Sequence, residues 1–557
     1  MKFKNMIYNR LDYEEIEIQA EELMRRSKEA NNQEEVFEIH QEWYQLMNEV
    51  ESMLTICHIR HDIDTKDKFY SEEQDFNDSI RPKLENLNQK YYKGLFDSKF
   101  RPYMEEKIGK VAFKNIEISL KAFDECLIPL MQEENVLTSK YDKLLASAEI
   151  DWEGEILNIS LLRPYLTNKD RDIRQKAWDK LTSFFDSIAD ELDDIYDALV
   201  QNRTKQATKM GYKNYVELGY YRMNRNCYDK YDVENFRKQI KEDFVPFAEK
   251  LHERRRKRLG LKKLSFIDEG VCFLKGNPQP IGTPEEILLN GQIMYSELSN
   301  ETKEFFDFMT ENELFDVLGR KTKKAGGYMT YIPKYQSPFI FANFNGTSGD
   351  VDVITHECGH AFQGYLSGKD PIREHADITM ETAEIHSMAM EFFTEPWMEK
   401  FFGDRTKDYL EMHLEDSAAF IPYGCMVDEF QHIVYENPTM TKMDRHETWK
   451  QLEKEYKPHL DYGNNSFFGK GAFWQKQLHI YDYPFYYIDY CLAQTCAFQY
   501  KVMMDEDYKE AWNSYLKLCK LSASDFYINM LPEVGLQVPF EEGTLKNMVK
   551  KLEKIIK

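Results

Sequence analysis

The sequence predicts a mainly α-helical protein, a large multi-helix bundle with one small antiparallel β element beside its most chemically loaded helix. Three observations predict it. Long helical segments rich in Glu, Lys, Leu and Gln follow one another to about residue 200, broken at Arg81-Pro82, Arg101-Pro102, Ile128-Pro129 and Arg163-Pro164. Helical periodicity returns through most of the remaining chain. The clear exception is the stretch from Gly326 to Phe344, where two short aromatic and β-branched runs are separated by a turn.

Taken in order, the first third offers no competing strand signal and reads as scaffold. Thr167-Asn168-Lys169-Asp170 has the form of a helix start, after which Ile173, Ala177, Trp178, Leu181 and Phe184 recur at helical spacing. A helix over Leu192 to Lys209 ends at Gly211, and another runs from about Val233 to the basic run Arg254-Arg255-Arg256-Lys257-Arg258. The pattern loosens over residues 264–284, and helices resume at Thr283-Pro284-Glu285. No low-complexity linker or fixed-period repeat appears. The expected division is therefore soft: a helical domain over 1–200, and a second over 201–557 that carries the motifs described next.

Length and charge exclude some functions. At 557 residues the chain is no small module, and its formal charge of −24 argues against a nucleic-acid polyanion as its partner. The basic run follows Glu249 and Glu253 and reads as a solvated helix face. Nine cysteines are scattered singly with no C-x-x-C pair, which points to reduced thiols. No apolar h-region opens the chain and no run of 18 apolar residues occurs, so neither secretion nor a membrane partner is expected. The cytoplasm is the expected location, and nothing in the sequence specifies an oligomeric state.

His356-Glu357-Cys358-Gly359-His360 is the most informative stretch. On a helix it places two imidazoles one turn apart on one face, with a carboxylate beside them. Such a pair suits Zn²⁺, with a third protein ligand, an open position for water, and the Glu as base. In a chain with 13 histidines the pattern arises by chance only about 0.03 times. The local signals support a helix over roughly 352–366, with Asp350 as N-cap, Asp352 in the first turn, and Ser367-Gly368-Lys369-Asp370-Pro371 as a stop. Just ahead of it, the run through Ala342 and Asn343 leads to the Gly346 loop. As an edge strand it can hold an extended peptide by main-chain hydrogen bonds, making Ala342, Asn343 and Gly346 candidate substrate contacts.

Candidates for the third ligand lie in an amphipathic helix over residues 377–391. Asp377, Glu381, Glu384 and Glu391 share broadly one face, and spacing does not choose between Glu381 and Glu384; His386 is a further option.

Together, His356–Phe362, Glu384–Glu391 and Pro338–Thr347 resemble the thimet oligopeptidase family of zinc metallopeptidases, most closely its bacterial oligoendopeptidase F and Pz-peptidase branch. The resemblance is dense over about 320–395 and 460–500. It places a Glu ligand three residues before a Ser and seven before another Glu, which selects Glu384, followed by Ser387 and Glu391. It also implies a deep internal channel walled by helices, which would limit substrates to short peptides.

A second motif, His479-Ile480-Tyr481-Asp482-Tyr483-Pro484-Phe485-Tyr486-Tyr487-Ile488-Asp489-Tyr490, supports the same family. Pro484 suits the first turn of a helix capped by Asp482 or Tyr483. Tyr483, Tyr487 and Tyr490 would then share one face, with His479 in the loop before them. The resemblance implies that these His and Tyr residues line the cleft and stabilise the oxyanion. The nearby Gly463–Gly471 loop has the composition of a lid.

The expected function is zinc-dependent cleavage of internal bonds in short peptides, with one Zn²⁺ on His356, His360 and Glu384. Glu357 is the general base and acid, and Tyr490, Tyr483 and His479 stabilise the transition state, with Tyr487 as a substrate contact. A dipeptidyl carboxypeptidase-type exopeptidase and a non-catalytic peptide-binding protein with structural zinc are the alternatives.

Overall fold

The computed structural model describes residues 1–556 except 321 and 325. It resolves into two compact units, each built from three stretches of chain: Met1–Leu120, Gln279–Thr406 and Gln499–Leu536 form the first, and Lys121–Pro278, Lys407–Phe498 and Gln537–Lys557 the second. The division expected near residue 200 falls inside one 39-residue helix, Arg171–Lys209, which begins at the Asp170 cap. The pattern of apolar residues continues unbroken through that point, so no linker marks the sequence there.

Both units are dominated by helices. In the first, Val36, Leu95, Met104, Ile108 and Phe113 form part of a buried apolar cluster. Pro82 does not break its helix as expected; it lies within Lys68–Phe96. The second unit contains a strand pair the sequence reading missed: β1 (Ile150–Trp152) and β2 (Glu155–Leu157) form an antiparallel hairpin. Three-residue strands are too short to display a period of two against a helical background.

A three-stranded sheet positions the histidine motif in the first unit. β3 (Phe315–Leu318), β4 (Tyr328–Ile332) and β5 (Ser337–Phe344) have the order β3-β5-β4, with β4–β5 antiparallel and β3–β5 parallel. The expected antiparallel pair is therefore joined by a parallel strand. β5 is the central strand, not an edge, as its run of buried residues, Phe339, Ile340, Phe341 and Ala342, fits. Ala342 and Asn343 lie past the residues paired with β4, where the Ala342 carbonyl accepts from Lys323 and Asn343 Nδ2 donates to the Lys324 and Gly326 carbonyls at 2.8 and 2.9 Å; β4 is an outer strand.

Gly346 ends β5's extension and its N–H donates to the Asp350 carboxylate at 2.7 Å, as the Asn345 N–H does at 2.9 Å. Asp350 thus ties the loop to the first turn of the histidine helix, Gly349–Ser367, whose N-cap residue is Ser348. Val351, Ile354, Cys358, Ala361 and Phe362 recur at helical spacing and are buried. The glutamate helix, Met380–Phe393, packs against it.

Candidate active site

Gly359 sets the distance between the histidine and glutamate helices. A Cβ there would lie 2.5 Å from the His386 carbonyl oxygen and 2.6 Å from Ser387 Cα, so the backbones touch and only glycine fits. That close approach brings Glu384 between the two histidines. Its Oε2 is 3.4 Å from His356 Nε2 and 3.6 Å from His360 Nε2. The two imidazoles stand nearly perpendicular at 83°, with centroids 5.0 Å apart. One donor atom from each of the three lies within 4.8 Å of the others. Of the other candidates, Glu381 and His386 are buried but stand outside this group.

Supporting contacts fix the donors. His356 Nδ1 is 2.6 Å from Glu391 Oε1, which orients the ring with Nε2 toward Glu384. Ser387 Oγ donates to the Glu384 main-chain oxygen at 3.0 Å and to its Oε2 at 3.2 Å. Burial works against a charged His356, but Glu384 and Glu391 outweigh it and hold the ring's pKa well above the usual value. Burial also opposes a Glu384 carboxylate, yet His360 and His356 keep it far below the usual range. His386 is different: burial, with His360 nearby, lowers it to about 3, so it stays neutral in the core.

Two imidazole nitrogens and one carboxylate oxygen, mutually close and braced from behind, fit a divalent ion of borderline softness. Glu357, half-buried beside them, has no hydrogen-bond partner among the described residues and is free to exchange a proton. A second group that could hold a metal, Glu249, His252 and His459, lies in the other unit. There His459 bridges Glu249 and Glu269, Lys457 pairs with Glu269 at 2.8 Å, and His252 stacks on His459 at 3.7 Å. Stacked rings point their lone pairs in parallel, and a neighbouring ammonium opposes a cation, so this is an ion-pair network.

The second motif lies wholly in the other unit and differs from its sequence reading. His479 sits in a short helix, Leu478–Asp482, not in a loop. Pro484 lies in a turn, and the next helix starts only at Tyr487. Tyr483 therefore does not share a helix with Tyr487 and Tyr490, and it is 56% exposed. Nevertheless the rings gather around His479: its centroid is 4.8 Å from Tyr487, 5.7 Å from Tyr486, 6.1 Å from Tyr490 and 6.2 Å from Tyr483.

Phe485 makes the break, with φ of 67°, in the left-handed region a non-glycine residue rarely adopts. Its N–H donates to Gln431 Oε1 at 3.1 Å and its carbonyl accepts from Arg225. Its ring fills the space over Gly219, where a Cβ would meet it at 2.6 Å. Arg225 also pairs with Asp489 at 2.7 Å, both groups being buried.

Several participants were not singled out from sequence. Gln477 Nε2 contacts His479 Nδ1 at 2.9 Å, and Tyr423 donates to Gln477 Oε1 at 2.8 Å. Tyr486 joins the ring cluster but sits off the helical stripe that drew attention to its neighbours. The Gly463–Gly471 loop is anchored: Phe467 and Phe468 are fully buried, and Asn465 donates to Thr182 at 2.7 Å. The basic run is a solvated face only at Arg256 and Lys257, which pair with Glu253. Arg255 is buried against Glu415 and Asp416, and Arg258 pairs with Glu411 and Glu415, partners more than 150 residues away that spacing cannot reveal.

A helical fold that brings two histidines and a glutamate together, with a second glutamate free between the histidines, has the form of a metal-dependent hydrolase. The Peptidase family M3 profile matches residues 295–550, and the Peptidase M3 N-terminal domain profile matches residues 3–123. The chain is similar to Pz peptidase A, solved with an inhibitor, at 46% identity and a TM-score of 0.94, covering 100% of this chain and 99% of that one. It is similar to an oligoendopeptidase F from Bacillus anthracis str. Ames at 41% identity and a TM-score of 0.90, covering 100% and 98%. It is also 20% identical to Oligopeptidase PepF of Bacillus subtilis (strain 168), over 93% of this chain and 79% of that protein. The chain belongs to peptidase family M3 and is a peptide-bond hydrolase with peptide substrates. No helix among the described residues is long and apolar enough to cross a membrane.

Proposed function

We propose that the chain is a zinc-dependent endopeptidase that cleaves internal bonds of short oligopeptides in the cytoplasm. The observation that carries this reading is the placement of Glu384 Oε2 within 3.6 Å of both histidine Nε2 atoms, with Glu357 unpartnered between the histidines. His356, His360 and Glu384 are the proposed ligands. When bound, zinc supplies Lewis acidity to the attacking water and to the scissile carbonyl. Glu357 takes the proton from that water and delivers it to the leaving amine nitrogen. Glu391 holds the His356 ring in its ligating tautomer. Tyr490, with Tyr483 and His479, donates hydrogen bonds to the carbonyl oxygen as charge develops on it, and Tyr487 contacts substrate; these roles rest on the family resemblance. An extended peptide would pair with the outer strand β4 in place of the internal Ala342 and Asn343. Gly346 keeps a supporting role, tying the loop to Asp350.

The test is mass spectrometry of products from a mixed library of blocked peptides, with and without chelator, followed by restoration with Zn²⁺. Internal cuts that vanish with chelator and return with zinc are expected. Release of dipeptides only from free C-termini would make the enzyme an exopeptidase, and chelator-insensitive cleavage would sink the metal mechanism.

A further inference from the structure

A cavity of about 720 Å³ in the first unit begins at His360 and follows the histidine helix past Gly364 and Gly368 to Asp377. Met329 and Tyr331 of β4 line it as well, so a peptide paired with that strand would turn a side chain into it. Its far end is acidic. Glu51, Asp370 and Asp377 all face it, while Arg373 is the one Lys or Arg among the lining residues. Arg373 is already committed, to Glu51 and to Asn48 at 3.0 Å, and Asp370 is held by His375 at 2.9 Å.

Asp377 is not committed. Its carboxylate has no hydrogen-bond or ion-pair partner among the described residues, and the residue is exposed where it faces the cavity. The protein around it, with Glu374, pushes its pKa up, and the Arg373 guanidinium, shared with Glu51, only partly offsets this. The Tyr331 ring lines the same cavity, with its Oη buried against Gly368, so the phenol contributes an apolar wall there. A cavity with an aromatic wall and an unpaired carboxylate at its acidic end suits the aliphatic stem and cationic head of a basic side chain.

We infer that this cavity is a specificity pocket for a basic side chain, lysine or arginine, of the bound peptide, and that Asp377 is its counter-ion. The inference rests on the proposed endopeptidase reading and adds the class of substrate. Asp377 acts on selection of the peptide, not on the bond-breaking atoms.

The experiment uses full-length, zinc-loaded protein and peptides that differ only in lysine, norleucine or glutamate at each position in turn. At one position the lysine peptide is expected to exceed the norleucine peptide in kcat/KM by about tenfold. Asp377→Asn should bring that ratio close to one, Asp377→Glu should preserve it, and Asp377→Lys should shift preference to the glutamate peptide. Calorimetric Kd values for the same peptides on zinc-loaded Glu357→Gln protein, with and without Asp377→Asn, read the pocket without turnover. No lysine preference in the wild type, or a preference untouched by Asp377→Asn, overturns the inference. Lysine-selective binding without chelator-sensitive cleavage in the active protein would instead overturn the endopeptidase reading and leave the pocket standing.

Discussion

The histidine–glutamate helix pair and the His479–Tyr490 segment both hold polar groups assigned to one reaction, but they are held differently. In the first, donors stand on two regular helices pressed together at Gly359, and two of the three are braced by a residue of the same pair: His356 by Glu391, Glu384 by Ser387. In the second, the groups straddle a helix break. Their arrangement depends on Phe485 in a left-handed conformation, itself held by Arg225, Gln431 and the bare surface of Gly219. The metal donor set is thus a local construction, and the aromatic cluster is a product of distant packing. Substitutions near the first should act on metal and chemistry; those near the second should join stability to turnover.

The largest expected effect separates chemistry from metal binding within the first region. Glu357→Gln should lower kcat by about 10³-fold or more while keeping stoichiometric metal by elemental analysis. Near-normal turnover would remove Glu357 from proton transfer. Next, Arg225→Ala should cost about 3–5 kcal/mol of unfolding free energy, because it removes the guanidinium that balances the buried Asp489 charge. Denaturant unfolding measures this, and unchanged stability would show that the break does not rely on Arg225. Tyr490→Phe should depress kcat by about 10²-fold with bound metal unaltered and the melting temperature lowered. A full kcat would assign Tyr490 to packing and reduce the second region to scaffold.

Two smaller effects refine the first region. Glu391→Gln should weaken metal affinity by about 10–100-fold through the His356 ring, as read by chelator competition. Glu384→Ala should lose metal where Glu381→Ala retains it. Loss in the Glu381 variant alone would move the third donor one turn along the helix.

The metal donors were legible because an imidazole pair at i, i+4 and carboxylates at three- and four-residue steps project onto one helix face, a relation that depends on helix geometry alone. Family resemblance then selected Glu384, which spacing had left tied with Glu381. The break before Tyr487 was not legible, since Tyr483-Pro484 is a sound helix start by local rules and only the buried Arg225 carbonyl contact overrides it. Pro82 misled in the opposite direction, lying inside a helix that its flanking pattern carries through.

By itself, then, the sequence determined the helical class, the β4–β5 pair, the histidine helix and the chemistry of its donors, because each depends on residues within a few turns of one another. Tertiary structure alone decided that β5 is internal, that the basic run is paired, that Tyr486 joins His479, and that Asp377 faces a cavity without a partner. Those outcomes depend on residues tens to hundreds of positions apart, whose approach is set by which surfaces bury together, and no local period records that.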